Sequence, residues 1–218
     1  MAINIAIDGP SASGKSTVAG QLCKRLNYVH LDTGAMYRCV ALYLLRNKIN
    51  TNDENKIKKV LNDIEIELKN DGKVFLNGND VTLEIRQDEI SQQASIVSAI
   101  KMVREHLVAM QQKMAEKKGF VMDGRDIGTV VLPDAELKIY LTASTQTRAM
   151  RRYLDNQQRG IESNLVQLQN EIAERDFRDT HRKNSPLRKA DDAILIDSSD
   201  MTREEVVDYI MKLAIEKI

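Results

Sequence analysis

Cysteine, proline and histidine are scarce in this chain: two, three and three among 218 residues, while 32 basic side chains cancel 32 acidic ones. Each scarcity excludes something. Cys23 and Cys39 are too few, and too far from any histidine cluster, for a structural metal site. Both lie in apolar, helix-like patterns and read as buried free thiols of a reducing compartment. Three prolines mark no linker. His30, His106 and His181 show no paired spacing, so each reads as structural. A chain without net charge lacks the broad basic field of a non-specific nucleic-acid binder, and any anion must be met by locally placed Arg and Lys. No apolar run approaches the roughly 18 residues of a membrane span. The apolar start Ile3 to Ile7 has no basic segment before it, which argues against anchor and signal peptide and for a cytoplasmic protein.

What is present suffices for one compact core with an insertion, because 42% of residues are hydrophobic and 29% charged, an ordinary globular balance. Five short apolar segments, Ile3 to Ile7, Tyr28 to Leu31, Phe120 to Met122, Leu137 to Leu141 and Ala193 to Ile196, alternate with helical stretches. Continuous apolarity marks strands covered on both faces, as in a parallel sheet. Helical spacing runs over Lys15 to Leu26, Ala35 to Arg46, about Ser91 to Lys118, Gln146 to Arg159, Leu165 to Arg182 and Arg203 to Lys217. The expected fold is doubly wound α/β, with a five-stranded parallel sheet flanked by helices. From Ile64 to Val81 the period switches to two, with Gly-containing turns at Asn70-Asp71-Gly72 and Asn77-Gly78-Asn79. This predicts a small antiparallel insertion over residues 62–90, the core being 1–61 and 91–218. Four of the five strands end in Asp (Asp8, Asp32, Asp123, Asp197), either on the ligand-binding edge of the sheet or as caps of the next helix.

Gly9-Pro10-Ser11-Ala12-Ser13-Gly14-Lys15-Ser16, followed by Thr17, fits the phosphate-loop pattern of two glycines flanking four residues and then Lys-Ser. Glycines let backbone N–H groups turn inward around phosphates, and the following helix adds its unpaired N–H groups. Lys15 reaches the β and γ oxygens, and Ser16 is the expected Mg²⁺ ligand. Residues 9–17 are therefore the expected ATP site. The loop alone leaves the nucleotide's fate open. A guanine-reading switch needs Asn-Lys-x-Asp, whereas Asn47-Lys48-Ile49-Asn50 ends in Asn and comes too early. A kinase requires a second anion site in line with the γ-phosphate.

Arginines supply such a site. Arg38 follows the second strand and Arg125 the third, both on the loop side of the sheet. Arg148, Arg151, Arg152 and Arg159 precede Gly160, and Arg175, Arg178 and Arg182 ride one helix with Asp176 and Asp179. The first group suits a mobile lid over about 148–162 that closes on the transferring group and excludes water. For Arg148 and Arg178 a solvated helix face with local ion pairs is an equal reading. The expected catalytic set is Lys15, Arg125, Arg152, Arg159 and Arg182. No general base is needed, because a phosphate acceptor is largely dianionic at neutral pH.

The runs IDGPSASGKST, LDTGAMYR, MDGRDIGTVVLPDA and ERDFRDTHR, with Ala94-Ser95 and Arg104 between them, resemble bacterial cytidylate kinases along essentially the whole chain. The resemblance implies a nucleoside monophosphate kinase fold with core, lid and enlarged monophosphate-binding part. It implies ATP- and Mg²⁺-dependent phosphorylation of CMP and dCMP. By the same resemblance, Ser95, Arg104 and Asp126 read cytosine, Arg38, Arg125 and Arg182 hold the acceptor phosphate, and Arg175 and Asp179 reach the sugar. Thr33 stands where some members carry Ser, which keeps the hydroxyl. A kinase for another monophosphate such as UMP, and a nucleotide-dependent switch, are the alternatives. No apolar helix stripe is left over for a partner, so a monomer is expected, binding neither nucleic acid nor membrane.

Overall fold

The computed structural model describes residues 1–69, 71–158 and 160–218. The turn residue Asn70 and the lid residue Arg159 lie outside the described residues. In chain order the elements are β1 (Ile5–Asp8), α1 (Lys15–Leu26), β2 (Val29–Asp32), α2 (Thr33–Arg46), α3 (Glu54–Val60), β3 (Ile66–Leu68), β4 (Val74–Leu76) and β5 (Asn79–Asp80). There follow α4 (Asp88–Val97), α5 (Lys101–Ala115), β6 (Phe120–Gly124), β7 (Leu137–Thr142), α6 (Thr145–Gln158), α7 (Leu165–His181), β8 (Ile194–Asp197) and α8 (Arg203–Ile215). They form two compact units, one of Met1–His30 with Lys118–Ile218, the other of Leu31–Lys117.

The five apolar segments are the strands of one sheet, ordered β2-β6-β1-β7-β8. β1 is parallel to both β6 and β7, with Ile5 opposite Val121 on one side and Leu137 on the other. β8 continues the parallel sheet beside β7. All four β1 residues are buried, as continuous apolarity requires of a central strand. Ile5, Ile7, Val121, Ile139 and Leu141 pack with Val18, Ala19 and Leu22 of α1 and with Val206, Val207, Ile210 and Ala214 of α8. Two helix ends show why these helices stop and start where they do. Asn27 ends α1 in the left-handed conformation, φ 56°, its N–H bonded to the Cys23 carbonyl. Thr202 and Glu205 form a reciprocal capping box at the start of α8.

In the second unit β3, β4 and β5 make the expected antiparallel meander, Ile66 facing Leu76 and Phe75 facing Asp80. Residues 62–90 lie wholly inside this unit. The long helix expected from about Ser91 to Lys118 is instead two helices, α4 and α5. The chain tightens at their junction through Ala99 N–H to Ile96 O and Ile100 N–H to Val97 O, and Ile100 is extended at ψ 117°. Apolar residues run on through the break, so their spacing carries no sign of it. α3 was not anticipated either; Asp53 caps it, but Ile57 is its one buried residue, too little for a periodic signal. Residues Ile127–Val131 form a wide π-helical turn after β6, also unanticipated. Among the described residues no helix is long and apolar enough to cross a membrane.

Candidate active site

In the first unit the phosphate loop leaves β1 at Gly9, where a Cβ would stand 2.0 Å from the Leu141 carbonyl oxygen. Only glycine allows β1 and β7 to close at that point. Gly14, at φ 90°, begins α1 without a side-chain cap, which leaves the first N–H groups of the helix for an anion. Lys15 is buried; its Nζ donates to Pro10 O at 2.6 Å and to Ser13 Oγ at 3.1 Å. Burial, and after it the charge of Arg125 with that of Arg175, pushes the Lys15 ammonium well below lysine's usual pKa. Cations drawn together in this way repel one another, and a bound anion relieves that repulsion.

Ser16 Oγ donates to Asp123 Oδ2 at 2.6 Å, while Asp123 Oδ1 lies 2.7 Å from His30 Nε2. An exposed hydroxyl beside a buried carboxylate is a hard-oxygen pair of the kind Mg²⁺ uses alongside substrate phosphates. Ser16 was the metal ligand expected from the sequence; its partner Asp123 was seen only as an Asp at a strand end. Of the three histidines read from the sequence as structural, His30 is the one that stands against this carboxylate.

Arg125 Nε donates to Asp179 Oδ2 at 2.7 Å, joining the end of β6 to α7. Burial works to raise Asp179, but Arg125, Arg175 and Arg182 together hold it below the usual carboxylate range. Arg182 Nη2 lies 3.6 Å from Asp126 Oδ1, both side chains being buried. Lys15, Arg125, Asp126, Arg175, Asp179 and Arg182 are thus linked within one unit, although they come from three chain segments. Asp176 and Asp179 take partners from other elements, and Arg178 is exposed. Arg148 is no solvated face: it is buried and donates to Ser11 O at 2.9 Å and to Asp176 Oδ2 at 2.5 Å. Asp176 Oδ1 in turn accepts from Ser11 N–H at 3.0 Å, so α6 and α7 both hold the loop. No sequence signal set Asp176 apart from its charged neighbours. Arg151 binds Ser198 after β8, and Arg152 is half-buried on α6.

In the second unit Thr33, buried, opens α2, and Arg38 Nη2 donates to Asp32 Oδ2 at 2.8 Å. Ser95 and Arg104 are joined through Ser98 at the α4–α5 junction. Ser98 Oγ donates to Ser95 O at 2.9 Å, and Arg104 Nη1 reaches Ser98 O at 3.1 Å. The Arg104 guanidinium lies over the Tyr37 ring, 5.5 Å from its centroid.

The four strand-end aspartates separate by role. Asp32 caps α2 through Ala35 N–H, and Asp197 turns onto Ser199. Asp8 and Asp123 reach other segments instead, Asp8 the backbone of Ile127 and Gly128, Asp123 the side chains of Ser16 and His30.

Residues 5–216 match the sequence profile of the family described as cytidylate kinase. The cytidylate kinase of Caldicellulosiruptor bescii is 53% identical over 214 residues, 97% of this chain and 95% of that one. That of Streptococcus uberis is 53% identical over 221 residues, covering 100% and 97%. Among solved structures, shikimate kinase from Bacteroides thetaiotaomicron superposes with a TM-score of 0.51 at 10% identity, over 98% of this chain and 99% of that one. A protein from Eubacterium ventriosum gives 0.54 at 15% identity over 98% of each. These two likenesses are of fold alone.

Proposed function

The chain belongs to the cytidylate kinase family, and from that premise we propose that it transfers the γ-phosphoryl group of ATP to CMP and dCMP, working as a cytoplasmic monomer. The observation that carries this reading is the gathering of Arg125, Arg175 and Arg182 about Asp179, with the charges of Arg125 and Arg175 also reaching the phosphate-loop lysine, Lys15. One phosphate chain needs the loop, whereas a second anion accounts for the guanidiniums.

Residues 9–17 bind the triphosphate. Lys15 compensates charge on the β and γ oxygens as the bond to the γ-phosphorus lengthens. Arg125 and Arg182, with Arg38, hold the acceptor phosphate, whose own charge makes it a nucleophile without a base. Asp179 fixes the Arg125 fork and, with Arg175, reaches the sugar. Asp126 accepts the exocyclic amine of cytosine, and Arg104 with Ser95 meets the ring carbonyl side. Uracil would turn a second carbonyl toward Asp126, leaving both acceptors unpaired. Residues 62–90 belong to the acceptor side. Residues about 148–162, with Arg152 and Arg159, form the lid that excludes water. Ser16 and Asp123 would hold Mg²⁺, which would supply charge neutralisation to the triphosphate.

A coupled assay of ADP release over a panel of monophosphates tests this. Release should require ATP, Mg²⁺ and CMP or dCMP. Equal use of UMP, or turnover indifferent to every monophosphate, would reject it.

A further inference from the structure

We propose that Asp8, at the end of β1, caps the π-helical turn after Asp126 and thereby sets the backbone from which the Asp126 carboxylate, turned toward Arg182 rather than onto its own turn, meets cytosine. The proposal rests on the base-reading role given to Asp126 above.

The wide turn closes through Val131 N–H to Asp126 O at 3.2 Å and Leu132 N–H to Ile127 O at 2.7 Å. Its opening N–H groups, on Ile127 and Gly128, have no earlier carbonyl within the turn to bind. An aspartate in the position of Asp126 ordinarily bends its own carboxylate onto the second or third N–H, here Gly128 or Thr129. Asp126 makes no side-chain cap. Asp8 takes its place: Oδ1 accepts from Ile127 N–H and Oδ2 from Gly128 N–H, each at 2.7 Å. One oxygen serves each donor, at the length of charge-assisted bonds. Asp126 Oδ1 is left facing Arg182.

Two further features bear on this division of labour. A Cβ on Gly128 would stand 3.2 Å from Lys138 Cδ and 3.4 Å from Asp8 Oδ2, so a side chain there would press first on Lys138 and only touch the carboxylate. Asp8 and Asp126 are both buried and repel each other. Capping by Asp126 itself would spare the chain one buried acid, so the second carboxylate needs a reason outside stability. Asp8 also directly precedes Gly9. The residue that starts the phosphate loop therefore sets the backbone beside the base reader.

Asp8→Asn tests the idea, since the amide keeps the shape and offers one acceptor for two donors. Roughly a 10- to 100-fold fall in kcat/KM for CMP is expected, with a matching fall in the preference for CMP over UMP and KM for ATP within about twofold. Added to Asp126→Ala, the substitution should change CMP kinetics by no more than about twofold. Equal rises in KM for both nucleotides, or an undiminished effect in the Asp126→Ala background, would overturn the proposal. Loss of selectivity in Asp126→Ala but not in Asp8→Asn would also overturn it, leaving the base-reading role intact. Unchanged selectivity in Asp126→Ala would overturn that role and this inference together. Should Asp8→Asn fail to fold, Asp8→Ser reads the same contact, since it leaves a single shorter acceptor for the two N–H groups, with the same outcomes deciding.

Discussion

Lys15 is buried among like charges, its ammonium on the Pro10 carbonyl and depressed first by burial and then by Arg125 and Arg175. A cation so placed contributes little to folding and much to phosphate binding. Lys15→Ala should therefore lower kcat/KM for ATP by at least about 100-fold, while thermal unfolding moves little or upward. A melting temperature that falls in step with activity would refute this. Asp8 makes a second residue-scale prediction. Burial pushes its pKa up from 3.8 to about 6, against the Ile127 and Gly128 N–H bonds and with Asp126 adding to the rise. Lys15 opposes the shift, and Tyr140 on the neighbouring strand also feels the Asp8 charge. Because the folded value lies above the unfolded one, the native state keeps a proton between pH 4 and 6 that the unfolded chain has released. Stability from this group is present below about pH 4 and lost as pH rises through 6. About two units correspond to about 3 kcal/mol. Urea unfolding should accordingly show Asp8→Asn gaining on the parent by about that amount from pH 4 to 7. A pH-independent gap would contradict it.

The elements owe their ends to local chemistry, and those were partly legible. Asp32 caps α2 as a polar residue after a strand can, and the Lys15 to Leu26 spacing is α1 to the residue. At α8 the Thr202 and Glu205 pair is a self-contained signal, and Thr202→Ala should cost about 1 kcal/mol in urea unfolding without altering KM for either nucleotide. The α4–α5 break was illegible because it is made by backbone bonds at residues 98–100 while Ile96, Val97, Ile100 and Val103 keep a helical rhythm. The π-helical turn was hidden for a related reason, since its cap comes from Asp8, 119 and 120 residues away from its donors.

At the scale of the whole molecule, the parallel sheet carries the phosphate loop on β1 between two neighbours that are themselves buried. Ile139, 1% exposed in β7 and packed in the core, should cost about 2–5 kcal/mol on truncation to Ala. Below the unfolding transition KM for ATP should stay near the parental value; a large rise would mean that the sheet tunes the loop as well as supporting it. Five strands and the loop could be read from the chain because each depends on neighbours within a few residues. Pairing could not. That Asp123 meets Ser16, that Asp179 meets Arg125, and that Arg148 turns onto Ser11 depends on segments brought together by closure of the sheet. Hydrogen-bond partners lie within about 3 Å, and spacing along a chain says nothing about which distant residues come that near.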